Sequence, residues 1–242
     1  MNGPAAPVPS FLVYEGFLVL PIGVALLLWL FHRRARVRMR GGPSALSFGV
    51  AMFLWLWATG GLGLSGILGR SDLRPPPVAI LAFLTLLLAS YVGLSRVGAA
   101  LATLPLSWLV ALNAFRFPLE LLMHQAAVEG VMPKQMSYAG WNFDILTGVS
   151  AILLAPAIAV GRVPRWVIGL WNALGALLLL NIVLVAGAST PLFRAFGKAP
   201  GKLNTFVAFF PYVWLPTVLV ATAMVLHIVI ARALRARPQD AP

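Results

Sequence analysis

The residues of this sequence whose types and spacing could do chemistry stand close together: Asn113, Arg116, Glu120 and His124, then Asn142 and Asp144. At about 100° per residue, helical geometry puts the first four within an arc of roughly 80°, one above another. Arg116 and Glu120, four residues apart, can pair; Glu120 and His124 can relay a proton or hold a cation, and Arg116 can anchor an anionic or polar ligand. The competing reading is an intrahelical ion pair, with His124 at the interface, that does no more than hold neighbouring helices together. Pro118 lies between the charged pair and frees a backbone carbonyl as a further acceptor. The stretch E-G-V-M-P-K-Q-M-S-Y-A-G-W-N-F-D, residues 129–144, then returns with Asn142 and Asp144. Asp144 either caps the helix that starts there or reaches across to Arg116 or His124. In the second case Tyr138, Gly140 and Trp141 form an amphipathic lid, and Glu15 can join the group.

The elements that must position these groups follow from composition. Of 242 residues 60% are hydrophobic and only 10% charged, with a mean hydropathy of +0.91. A water-soluble domain carries about 25% charged residues, so this chain cannot cover a water-facing globule. A soluble enzyme, a disordered tail, a coiled coil and a nucleic-acid-binding domain are excluded, and an integral membrane protein remains. A span needs about 20 apolar residues to cross a hydrocarbon core of about 30 Å. Seven stretches qualify as spans of one all-α transmembrane domain covering 1–242: 11–31, 45–68, 78–94, 97–123, 145–160, 166–185 and 206–230. The ionisable stripe lies in the half of the fourth span that approaches the outside. At that depth an unpaired charge costs about 2.5–3.5 kcal/mol on insertion scales, so Arg116, Glu120 and His124 are expected to face the bundle interior.

The net charge of +12 sits in short connections, which makes it an orientation signal rather than a nucleic-acid signature. Arg33, Arg34, Arg36, Arg38, Arg40, Arg96, Arg162, Arg165, Arg232, Arg235 and Arg237 fall on one side of the seven-span arrangement. Arg70, Arg74, Lys134, Arg194, Lys198 and Lys202 fall on the other, with Asp72 and Glu129 partly offsetting them. The expected topology is N-terminus outside and C-terminus cytoplasmic. The start of the chain reads as an uncleaved first span, since its arginines follow the apolar stretch rather than precede it. Fifteen Arg against three Lys, with abundant Ala, Gly and Pro, suggests a bacterial inner membrane.

Other motifs are sparser. Gly60, Gly63, Gly66 and Gly69 form a small-residue face suited to close helix packing. Asn172 and Asn181 lie on opposite faces of the sixth span, each expected to bond a neighbouring helix. Pro211 and Pro216 should kink the seventh, and His227 is expected at its cytoplasmic interface. The chain has no cysteine and three histidines, with no H-E-x-x-H, G-x-S-x-G or P-loop, and no Lys in the seventh span for a retinal Schiff base. No cofactor can be assigned.

The run Pro211-Tyr-Val-Trp-Leu-Pro-Thr-Val-Leu-Val220, with Asn142-Phe-Asp-Ile145 and Trp171-Asn-Ala-Leu-Gly175, resembles segments of uncharacterised bacterial seven-helix membrane proteins. The resemblance covers the C-terminal half and implies a membrane fold without an activity. Three functions fit the residues. One is an outward-facing polar pocket on the fourth and fifth spans that binds or transports a small polar or ionic ligand. The second is an enzyme acting on a lipid or quinone-like substrate, with Glu120, His124 and Asp144 as acid, base or ligands of a divalent metal. The third is a non-catalytic subunit. The expected partners are membrane lipids, and other membrane subunits or a second copy of the chain, with no nucleic acid.

Overall fold

A computed structural model describes residues 6–37, 42–70 and 72–235. Arg38, Arg40 and Arg237, three of the arginines from which a cytoplasmic side is expected, lie outside the described residues. Among those described, all regular structure is helical: α1 (Phe11–Arg36), α2 (Ala45–Leu64), α3 (Pro77–Leu94), α4 (Arg96–Leu101), α5 (Leu106–Leu112), α6 (Arg116–Val128), α7 (Ile145–Ala159), α8 (Arg165–Ala188) and α9 (Ala221–Arg235), with short 3-10 and π-helical turns between. Six stretches are long and apolar enough to cross a membrane: Phe11–Arg36, Ala45–Leu64, Pro77–Leu94, Leu106–Val128, Arg165–Ala188 and Leu215–Arg235. The remaining apolar stretch, α7, has 15 residues and spans only about 22 Å.

The fourth expected span is where the structure departs most from a continuous helix. It is broken into α4, α5, a 3-10 turn over Asn113–Phe115, and α6. Pro105 lacks the N–H that a helix interior requires and stands at the N-cap of α5. Pro118 would leave the carbonyl of Ala114 without its helical partner, and the 3-10 turn lies at that point. The second span also ends earlier than 68. Gly66 adopts φ 73°, a left-handed conformation that glycine supplies at helix C-termini without steric cost.

The core centres on α9, which packs against α3, α4, α5 and α8. Leu226, Val229 and Ile230 are fully buried there. α7 packs against α5, α6 and the 3-10 turn between them. The outward faces of α2 and α3 expose Phe53, Trp57, Phe83 and Leu87, the apolar coat a bilayer covers. The glycine face of α2 serves packing: a Cβ on Gly63 would meet the Phe210 backbone nitrogen at 2.9 Å and Val213 Cγ1 at 2.9 Å. Indole N–H groups tie helices together, with Trp55 Nε1 donating to Thr217 O at 2.9 Å and Trp171 Nε1 to Ser150 Oγ at 2.8 Å. Two of the arginines bond helix ends. Arg232 donates to Gly93 O and Ser95 O at the C-terminus of α3, and Arg165 to Ala233 O and Leu234 O near that of α9. Both satisfy carbonyls that a helix end leaves open.

Candidate functional site

The 129–144 connection decides the site's geometry. It does not stay at the bundle end, since Val131, Met132, Met136, Ser137 and Asn142 are all buried. This inward path carries Asn142 and Asp144 to the level of α6 and leaves α7 short. Gly140 and Gly148 permit it: a Cβ on Gly148 would collide with the Phe117 backbone nitrogen, and one on Gly140 would meet the Lys134 carbonyl oxygen at 2.6 Å.

The ion pair is between Arg116 and Asp144, not Arg116 and Glu120. Arg116 Nε lies 2.8 Å from Asp144 Oδ2, and both side chains are almost wholly buried. Asp144 occupies the N-cap position of α7 but its carboxylate bonds no backbone N–H there. It turns to the guanidinium, with Thr147 Oγ1 donating to Oδ1 at 3.3 Å. The intrahelical pair loses because Asp144 reaches the guanidinium from the neighbouring element, and a buried pair is favourable only with close geometry and further hydrogen bonds. Glu120 instead receives the Asn142 amide, whose Nδ2 lies 2.8 Å from each carboxylate oxygen. That same nitrogen is 3.1 Å from Met136 O, and Asn142 Oδ1 accepts from the Asp144 backbone N–H.

His227 joins from α9, against the expectation of an interfacial histidine. The helix continues two turns beyond it to Arg235, which leaves the ring inside the bundle. Arg116 Nη1 donates to His227 Nε2 at 2.8 Å. Arginine has donors only, so Nε2 accepts and the ring proton sits on Nδ1, where Asn172 Oδ1 accepts it at 2.9 Å. Asn172 Nδ2 closes the loop by donating to His227 O. The cluster therefore links α6, the 129–144 connection, α8 and α9. His227 and Asn172 were visible in sequence as separate polar residues, and only tertiary contact joins them to Arg116. Asn181, on the other face of α8, donates to Trp141 O at 2.7 Å.

The remaining expected members stand apart. Asn113, in the 3-10 turn, donates back to Leu109 O. His124 stacks on Tyr138 with ring centroids 4.4 Å apart and takes no part in the hydrogen bonds of Glu120 and Asp144. Glu15 takes no part in the hydrogen-bonded cluster. Among the described residues no three His, Asp or Glu side chains gather to hold a metal.

A cavity of about 280 Å³ adjoins the cluster. Its floor includes Arg116, Glu120 and Asp144; its walls are apolar, from Val78, Ala82 and Leu86 of α3, Leu179 and Val183 of α8, and Leu219 and Ala223 near the start of α9. The walls run over eight residue steps of α3 and of α8, about 12 Å, in the half of the bundle that holds the 129–144 and 189–205 connections. The π-helical turn Leu215–Val220 contributes Leu215, Pro216 and Leu219 to the lining, and such turns recur at functional sites. Two of the lining residues carry a buried polar atom without a hydrogen-bond partner, Arg116 at Nη2 and Asn204 at Oδ1. Asn204 had no place in the sequence argument, since nothing local marks a loop asparagine as a cavity residue.

No curated protein and no solved structure matches the chain. Residues 76–235, well over half of it and including every member of the cluster, match the family described as "Domain of unknown function (DUF8737)", and the chain belongs to that family.

Proposed function

We propose that this protein binds an amphipathic small molecule drawn from the bilayer, in the cavity between α3, α6, α8 and α9. The observation that carries the reading is one apolar-walled cavity whose floor holds Arg116, Glu120 and Asp144. An apolar enclosure with a few convergent polar groups is the usual form of a small-molecule site. The cavity suits a ligand with an apolar body rather than the small polar or ionic one its charged floor alone suggests. Its place near the 129–144 and 189–205 connections supports access from the outer half, with α7 as a short seventh crossing, the N-terminus outside and the arginine-rich ends in the cytoplasm of a bacterial cell. Binding, with or without transport, has more support than a metal-dependent enzyme, because His124 stacks on Tyr138 away from the two carboxylates.

The test is saturable binding of a radiolabelled long-chain alcohol to the protein in lipid nanodiscs, compared with an Ala82→Phe variant. The phenyl ring fills the cavity from its α3 wall. Saturable binding by the parent and its loss in a variant that melts normally is the expected result. Non-saturable partitioning alike in both proteins overturns the reading.

A further inference from the structure

The cavity floor carries an unbalanced charge, and that charge selects the head of the ligand. Resting on the binding reading above, we infer that the site takes a lipophilic organic cation, whose head replaces a proton on Glu120. Among the described lining residues Arg116 is the one cation, whereas Glu120 and Asp144 are two carboxyls. Arg116 pairs with Asp144 at 2.8 Å, and His227, which accepts from Arg116 at Nε2, is a neutral ring. That pair is balanced, and Glu120 is the surplus. Its carboxyl group receives a single nitrogen, Asn142 Nδ2, which also lies 3.1 Å from Met136 O. One shared amide offsets little of the cost of a buried negative charge. Glu120 therefore needs a positive partner at this depth, either its own proton or a cation brought by the ligand.

The lining suits such a cation. A quaternary ammonium has no N–H, so it needs no acceptor atom opened towards it. Its attraction to a net negative floor acts through the apolar enclosure at low dielectric, without direct contact. Phe83, Phe115 and Phe193 also line the cavity, and the faces of aromatic rings attract a desolvated cation. An anionic head meets the same surplus with the opposite sign, and an uncharged head gains nothing from it. The exchange balances: protonated Glu120 and a free cation give the ionised carboxylate with the cation over it, and one proton leaves to water. The charged groups that act on Glu120 are Arg116 and Asp144. Tyr14 and Glu15 of α1, His124 one turn further along α6, and Lys134 and Tyr138 of the 129–144 connection lie on or beside elements packed there. The hydrogen bonds of Glu120 go to Asn142 instead.

The experiment titrates three probes of equal chain length and fixed charge against the protein in neutral-lipid nanodiscs from pH 5 to pH 9: tetradecyltrimethylammonium, tetradecanol and tetradecyl sulfate. Partitioning into empty nanodiscs is subtracted. At pH 9 the ammonium should bind at least about tenfold more tightly than tetradecanol, and the sulfate more weakly than either. Ammonium affinity should fall towards pH 5, by up to about tenfold per unit where one proton is exchanged, while that of tetradecanol stays nearly level. Glu120→Gln removes the surplus charge. It should bring the ammonium to within about threefold of tetradecanol and abolish the pH dependence. A melting curve shows whether this variant folds; if it does not, the probe order and pH profile of the parent decide alone. Ammonium binding no tighter than that of tetradecanol at pH 9 overturns the inference and leaves the binding site standing. So does ammonium affinity that is level across pH, or a pH dependence that Glu120→Gln retains. Saturable binding by none of the three removes the site together with the inference.

Discussion

Arg116 and Asp144 stand 28 positions apart in the chain, yet Nε and Oδ2 meet at 2.8 Å with both side chains almost fully withdrawn from solvent and lipid. This contact fastens α6 to the first turn of α7 and, with His227 and Asn172, to α8 and α9. Removing one partner of a buried pair strands the other charge, at about 3–5 kcal/mol, whereas an apolar replacement of both is often tolerated. Asp144→Asn should therefore lower the melting temperature in nanodiscs more than Glu120→Gln, since Glu120 faces an amide. Arg116→Met combined with Asp144→Leu should recover part of the loss. Equal melting of Asp144→Asn and the parent would contradict the role assigned to the pair.

Two glycines should prove intolerant of a single methyl. Gly148→Ala places a Cβ against the Phe117 backbone, and Gly175→Ala places one 2.7 Å from His227 Cε1. Overpacking of this kind costs about 1–3 kcal/mol, with the larger loss expected at Gly148 because backbone yields less than a side chain. Gly61→Ala, where no atom lies within 4 Å, is the matched control and should melt as the parent does.

At the ends of α1 and α6, the Ser10 backbone N–H and hydroxyl donate to the Glu129 carboxylate at 2.8 and 2.7 Å, and Gln125 adds a third donor. These bonds hold the Glu129 pKa below its ordinary value of 4.5. A depressed carboxylate stabilises the fold fully above its unfolded pKa, and the contribution disappears as pH falls through the lower folded value. Glu129→Gln should thus lower stability slightly at neutral pH and flatten the acid decline below about pH 4.5. Thermal unfolding across pH reads the difference between the two curves. Identical curves would mean that the contact contributes nothing measurable.

The topology can be read with single cysteines in a chain that has none of its own. Val37, after α1, and Leu73, after α2, flank one crossing. A membrane-impermeant thiol reagent applied to intact cells should modify Leu73→Cys and should reach Val37→Cys only after the membrane is opened. The opposite pattern inverts the orientation, and modification of both from one side is incompatible with α2 as a span.

Composition and hydropathy alone determine that the chain is a helical membrane protein, because a tenth of charged residues cannot clothe a soluble globule. Spacing also brings Arg116 and Glu120 to one helix, and the cost of a charge in hydrocarbon turns them inward whatever the rest of the fold does. Helical periodicity, however, carries information over only a few residues. It favours Glu120 as the partner of Arg116 because the two are one turn apart, and it keeps Asn113 and His124 on the same stripe. Tertiary structure overrules these local choices. The turn at Asn113–Phe115 swings Asn113 back to Leu109, and the inward path of 129–144 supplies a closer carboxylate in Asp144. His227 acquires a role only once α9 packs against α8 and its ring meets Arg116 and Asn172. Which ionisable groups sit at depth was a matter of sequence; which of them meet, and that Arg116, Glu120 and Asp144 line one cavity, depended on where loops and helix breaks carry the chain through space.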